Sequence, residues 1–116
     1  MSEILDILIA ARSRIADEAH WCQGHAAEAE DGLVVWPHDA RAVRWCASGA
    51  VEVEDQCGIF SSVLVRLVPY ARAIVGEVTA FGDRVLYIND TLGHAAVLEL
   101  FDTAIRGIKQ QEETTL

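Results

Sequence analysis

Two stretches at opposite ends of this sequence return an apolar side chain every three to four residues, and that spacing commits both ends to helix. In the first, Ile4, Leu8, Ala11, Ile15 and Ala19 form one stripe, with Arg12, Arg14, Asp17 and Glu18 off it. The pattern predicts a helix over Glu3–Ala19, with the Ser2 hydroxyl as its N-cap. In the last, Val97, Phe101, Ala104, Ile105 and Ile108 predict a helix from about His94 to Gln110, followed by a polar, frayed tail over Gln111–Leu116. A striped helix must bury its stripe against another element. The expectation is therefore a mainly α domain of four to five helices over residues 1–116.

The middle of the chain is less regular. Residues Trp21 to Gly24 break the first stripe. Asp31-Gly32 is a tight-turn dipeptide ahead of the β-prone run Leu33-Val34-Val35-Trp36, which suggests a short β-hairpin near residues 26–36. The preceding Ala26-Ala27-Glu28-Ala29-Glu30 favours helix, however, and Pro37 ends any strand. Asp39 reads as the N-cap of a helix running from Ala40 to about Asp55, with Cys46 on its apolar stripe. Val63 to Val68 is apolar nearly all round; helix and strand both fit, and helix is favoured by its neighbours. Pro69 would open a further helix over Tyr70–Phe81, ended by Gly82. Asp83 to Asp90 reads as a loop with a brief extended piece at Val85-Leu86-Tyr87.

Composition bounds the class. At 116 residues and 52% hydrophobic, the chain can bury a real core without disulfides or metal. Its three cysteines, odd in number and irregularly spaced, read as free thiols. The run from Ile4 to Ala11 is too short for a membrane span and lacks the basic lead of a signal peptide, so the cytoplasm is the expected compartment and no membrane partner is expected. The net charge of −9 is uneven: residues 1–58 hold eleven acids against four arginines. An acidic surface repels phosphate, which argues against nucleic acid as a partner. It suits either a solvated face or a basic protein partner.

The scarce residue types cluster. Trp21-Cys22-Gln23-Gly24 and Trp45-Cys46-Ala47-Ser48-Gly49 repeat an adjacent Trp-Cys pair. Either pair can be plain core, since a free cysteine behaves as a small hydrophobe and tryptophan offers large buried area. A catalytic arrangement would take Cys22 as nucleophile and His94 as base, oriented by Asp90 or Asn89. Asn89-Asp90 is equally a turn before the final helix. For metal, only Cys22-x-x-His25 resembles a ligand pair; His20, His38, Cys46, Cys57 and His94 supply no second pair at short spacing, so no metal site is expected. No cofactor signature is present either: there is no phosphate-binding glycine loop, nucleophile elbow or His-Glu-x-x-His.

The blocks Trp21-Cys22-Gln23-Gly24, Ala42 to Ala50, Asn89-Asp90 and His94 to Ile105 together resemble a family of small bacterial and phage proteins of unknown function. Its members carry a Trp-Cys-x-Gly block, an Ala-Val-Arg-Trp-Cys block, an Asn-Asp turn and a His-Ala-Glu-Val-Leu helix ending in Asp-x-Ala-Ile. This sequence departs at Ala96, where the family often has Glu, and at Ile88, where it often has Trp; no carboxylate role is carried over to that helix start. The resemblance implies a mainly helical domain and brings no activity with it.

The leading functional expectation is a small acidic binding or accessory protein, of the kind a phage or mobile element carries, acting through a protein partner or small ligand. Its site would lie where Trp21, Trp36, His38, Arg44, Trp45, Asn89 and Asp90 converge, with Arg44 paired to Asp90. The rivals are a cysteine-dependent hydrolase or transferase using Cys22 and His94, and a purely structural or homo-oligomeric role.

Overall fold

The computed structural model describes residues 3–76 and 84–115. Five α-helices and a two-stranded antiparallel sheet make up these residues: α1 (Glu3–Arg14), β1 (Ala27–Ala29), β2 (Ala42–Trp45), α2 (Ala47–Glu54), α3 (Phe60–Val75), α4 (Arg84–Tyr87) and α5 (His94–Thr115). A 3-10 turn (Glu18–His20) follows α1, and a π-helical turn (Ile88–Leu92) separates α4 from α5. The domain is mainly α, as the stripes require. Among the described residues no helix is long and apolar enough to cross a membrane.

Both striped helices bury their stripes in one core. Leu5, Leu8 and Ala11 of α1 meet Val97, Phe101, Ala104 and Ile108 of α5, with Ala50 and Val51 of α2 and Val63 and Leu67 of α3 completing it. Arg12 and Asp102 tie α1 to α5 at the rim (2.8 Å). The helix starting at His94 continues to Thr115, past the expected end at Gln110.

Four expectations are corrected. The first helix stops at Arg14 rather than Ala19. Asp17 takes the Ala19 amide on its side chain (2.9 Å), and a side chain that captures a backbone donor competes with the helix. Ile15 nevertheless stays fully buried, so the stripe outlives the helix by one residue.

Secondly, Asp39 does not open a helix. Its carboxylate takes the Arg41 amide (2.8 Å) and guanidinium (3.0 Å), and these hydrogen bonds hold its pKa down at about 2. Ala42–Trp45 then pairs as β2 with β1, Glu28 standing opposite Arg44. Helix begins only at Ala47, and Cys46 is its N-cap rather than part of a helical stripe, its Sγ accepting the Gly49 amide (3.2 Å). The helix-prone Ala27-Glu28-Ala29 is drawn into strand because β2 lies on one side of it. On the other side Leu33 and Val35 return across the Asp31-Gly32 turn, bonding to Ala29 and Ala27. Tertiary pairing overrides a weak local preference.

Thirdly, Val63 to Val68 is helix, but Pro69 lies inside α3 rather than opening a new element. Proline cannot bond the carbonyl of Val65, and Val65 is on the solvent side, where a freed carbonyl costs little. The helix ends at Val75; the expected Phe81 and Gly82 terminus lies outside the described residues, as does the Ser2 cap. Fourthly, the expected loop with an extended piece at Val85-Leu86-Tyr87 is helical there, as α4 and the π-helical turn.

Candidate functional site

The blocks singled out by sequence meet at one place, organised by Asn89. The π-helical turn buries this side chain to 1% exposure, the only buried polar or charged residue among those described. Its Oδ1 accepts the indole N–H of Trp21 (2.7 Å) and the amide of Ala47 at the start of α2 (2.9 Å). Its Nδ2 donates to the Cys22 carbonyl (3.0 Å) and to Asp90 Oδ1 (2.9 Å). Asp90 Oδ1 also accepts the Gly24 amide (2.9 Å), while Gln23 Nε2 donates to the Asn89 and Asp90 carbonyls (3.0 and 3.2 Å). An amide has two lone pairs and two N–H groups, and here all four are used. Asn89 and Asp90 thereby staple the loop at residues 21–24 to the start of α2.

His94 joins from α5. Its Nε2 faces the Ile15 carbonyl (2.7 Å), which can only accept, so that nitrogen carries the proton. Its ring tilts against Trp21, with centroids 5.3 Å apart at 52°. Cys22 is buried; its thiol points to the His25 carbonyl (3.5 Å), and its pKa is pushed up to about 12, first by burial, then by the neighbouring Cys46 and Glu28. A catalytic cysteine needs the opposite setting, exposed and electropositive.

Of the remaining candidates, Trp45 reaches this knot through its backbone, its carbonyl accepting the Cys22 amide (3.1 Å), while Arg44, Trp36 and His38 stand apart. Arg44 pairs with Glu28, not with Asp90 as expected, and donates to the carbonyls of Ala29 (2.6 Å) and Glu30 (3.2 Å). The reason is the strand: β pairing sets Arg44 directly opposite Glu28. Trp45 donates its indole N–H to the Pro37 carbonyl (3.0 Å) and lies under the Arg14 guanidinium (4.6 Å from ring centroid to Cζ). Arg14 is in turn held by Glu54 (2.6 Å). These side chains wall an open cleft of about 590 Å³ that also takes in His20 and Val43. Trp36 and His38 are exposed.

Comparison with known proteins follows the same blocks. Residues 1–107 match DUF6197, a family of unknown function. The chain belongs to that family. No curated protein and no solved structure matches it.

Two features went unread in the sequence. Leu33, Val34 and Trp36 are respectively 50%, 60% and 80% exposed, although their composition reads as strand core. Glu28 sits beside Cys22 and His25, and its pKa is lowered, foremost by the hydrogen bond with His25. The signal for the second was a carboxylate three residues beyond Cys22-x-x-His25, outside a search confined to histidine and cysteine.

Proposed function

We propose that this chain is a binding domain that docks a protein partner through the Leu33–Trp36 loop. The observation that carries the reading is the exposure of three large apolar side chains within four residues, Trp36 foremost. A soluble surface seldom offers so compact an apolar point without a partner, and exposed tryptophan is the residue type most enriched among interface anchors. The backbone beneath it is held on both sides, by Leu33 and Val35 on β1 and by the Trp45 indole on the Pro37 carbonyl. Presenting the anchor on a fixed frame lowers the ordering cost of docking.

Charge defines the partner's chemistry. Glu30 and Asp31 are exposed at the adjoining turn. The two nearby arginines are already committed, Arg41 to Asp39 and Arg44 to Glu28. A groove of about 480 Å³ beside Trp36 is lined by Val34, Asp39 and Arg41. An apolar point rimmed by exposed acids fits a partner segment that pairs an apolar side chain with lysine or arginine.

A photo-crosslinking residue in place of the exposed His38, which leaves Trp36 intact, expressed in the native host, tests this. The expected result is one dominant heterologous adduct that is absent when the same residue replaces Glu112 on α5. Against that partner, purified, Trp36→Ala should weaken binding by about 30-fold, the scale of a hot-spot residue. Adducts equal in kind and yield at both positions refute the reading. Adducts only with a second copy of this chain replace it with an oligomeric role.

A further inference from the structure

Apart from the docking loop, Cys22, His25 and Glu28 bring three donor atoms of different chemistry to one point. Cys22 is fixed by its amide on the Trp45 carbonyl (3.1 Å) and by its own carbonyl on Asn89. Gly24 turns the chain back with φ +85°, a conformation that L side chains rarely adopt, and this returns His25 over Cys22. Along β1 the side chains then alternate: Ala27 and Ala29 are buried in a small core, and Glu28 projects to the other face. The result is a thiol sulfur, an imidazole nitrogen and a carboxylate oxygen all within 4.8 Å of one another.

We propose that these three side chains bind one divalent transition-metal ion of the zinc class, with water in the fourth position. Thiolate, imidazole and carboxylate are the three protein ligand types that zinc takes. With bonds of roughly 2.0–2.3 Å, donors around a tetrahedral ion lie about 3.5 Å apart. The observed cluster therefore needs side-chain adjustments of about an ångström and no backbone rearrangement. His25 Nε2 and Glu28 Oε2 are already hydrogen-bonded to each other, so both donor atoms face the point the ion would occupy. Glu28 Oε1 is held by Arg44, and Arg44 is anchored in turn on the Ala29 and Glu30 carbonyls. Such an outer layer orients a ligating carboxylate. The thiolate and the carboxylate set two negative charges against a dication, and with the Arg44 guanidinium counted the loaded site carries one net positive charge. The sulfur–metal bond forms as the thiol proton passes to solvent.

Cobalt(II) is the probe, added to chelator-treated protein carrying Cys57→Ser so that the exposed third thiol cannot contribute. The expected result is one equivalent bound, with a thiolate-to-cobalt charge-transfer band in the near ultraviolet that zinc abolishes by displacement. Cys22→Ser should remove the band. His25→Ala and Glu28→Gln should each weaken cobalt binding by about 10-fold or more. If Cys22→Ser fails to fold by far-ultraviolet circular dichroism, His25→Ala, in a half-exposed loop position, decides alone. The absence of a charge-transfer band in the parent protein overturns the proposal. So does a folded Cys22→Ser that keeps the band, or a folded His25→Ala that binds cobalt as tightly as the parent.

Discussion

Replacing Asn89 by alanine should unstitch the domain, because one buried amide serves four partners. The substitution strands the Ala47 amide, the Trp21 indole N–H and the Cys22 carbonyl, which the native side chain holds at 2.9, 2.7 and 3.0 Å. Leaving a buried donor or acceptor unpaired costs about 1–1.5 kcal/mol at the conservative end, so three together cost about 3–4.5 kcal/mol. That is a large fraction of the roughly 5–15 kcal/mol that holds a domain of this kind folded. With a urea slope of about 1.5 kcal/mol per molar, the midpoint should fall by about 2–3 M. Equilibrium urea unfolding followed by circular dichroism measures this, provided the slope itself is unchanged.

Asn89→Asp sharpens the test. It keeps the acceptor for Trp21 and Ala47 but sets a second oxygen against the Cys22 carbonyl and Asp90 Oδ1, where Nδ2 now donates at 3.0 and 2.9 Å. Burial and the neighbouring carboxylate raise the new group's folded pKa above the unfolded value of about 3.9. Its deficit is therefore smallest below about pH 4 and grows as the pH rises through the folded pKa. An Asn89→Ala protein within about 1 kcal/mol of the parent would refute the reasoning. An Asn89→Asp protein as stable as the parent at neutral pH would do so equally.

Two further outcomes follow from the same packing. In Gly49→Ala the added Cβ would sit 2.1 Å from the Ala26 carbonyl oxygen, a backbone atom that already accepts the Cys46 amide. Forcing β1 off α2 should cost about 3 kcal/mol or more, and thermal unfolding close to that of the parent would show the contact to be soft. In chelator at neutral pH, a thiol reagent should modify Cys57 quickly and Cys22 and Cys46 only at the rate of unfolding, because the latter two are buried. Peptide mapping by mass spectrometry reads this directly; Cys22 labelling as fast as Cys57 would restore the hydrolase or transferase reading.

Several site residues were legible for a plain reason: tryptophan, cysteine and asparagine in short blocks are rare enough to stand out. Trp21, Cys22, Asn89, Asp90 and His94 do meet. Their partners could not be read, because each depends on which segment lies alongside. Arg44 illustrates the limit. Sequence offered Asp90 as its counter-charge, but the register of two short strands placed Glu28 opposite it instead. Trp36 illustrates the reverse case, a residue whose type suggests burial and whose place beyond the single bridge of Val34 to Glu28 leaves it in solvent.

The sequence by itself determined the helical framework at both ends, since α1 and α5 write a strong periodic stripe that only a helix can bury. It also determined the acidity of the first half. Only tertiary structure decided the stretch from residue 15 to residue 46. There the local preferences are weak and contradictory, helix-prone alanines beside β-prone valines, and fractions of a kilocalorie separate the choices. Long-range bonds outweigh them: Cys22 on Trp45, Cys46 on Ala26, and Asn89 reaching across to both Trp21 and Ala47. The same bonds that settle the fold there also leave Trp36 exposed and gather Cys22, His25 and Glu28.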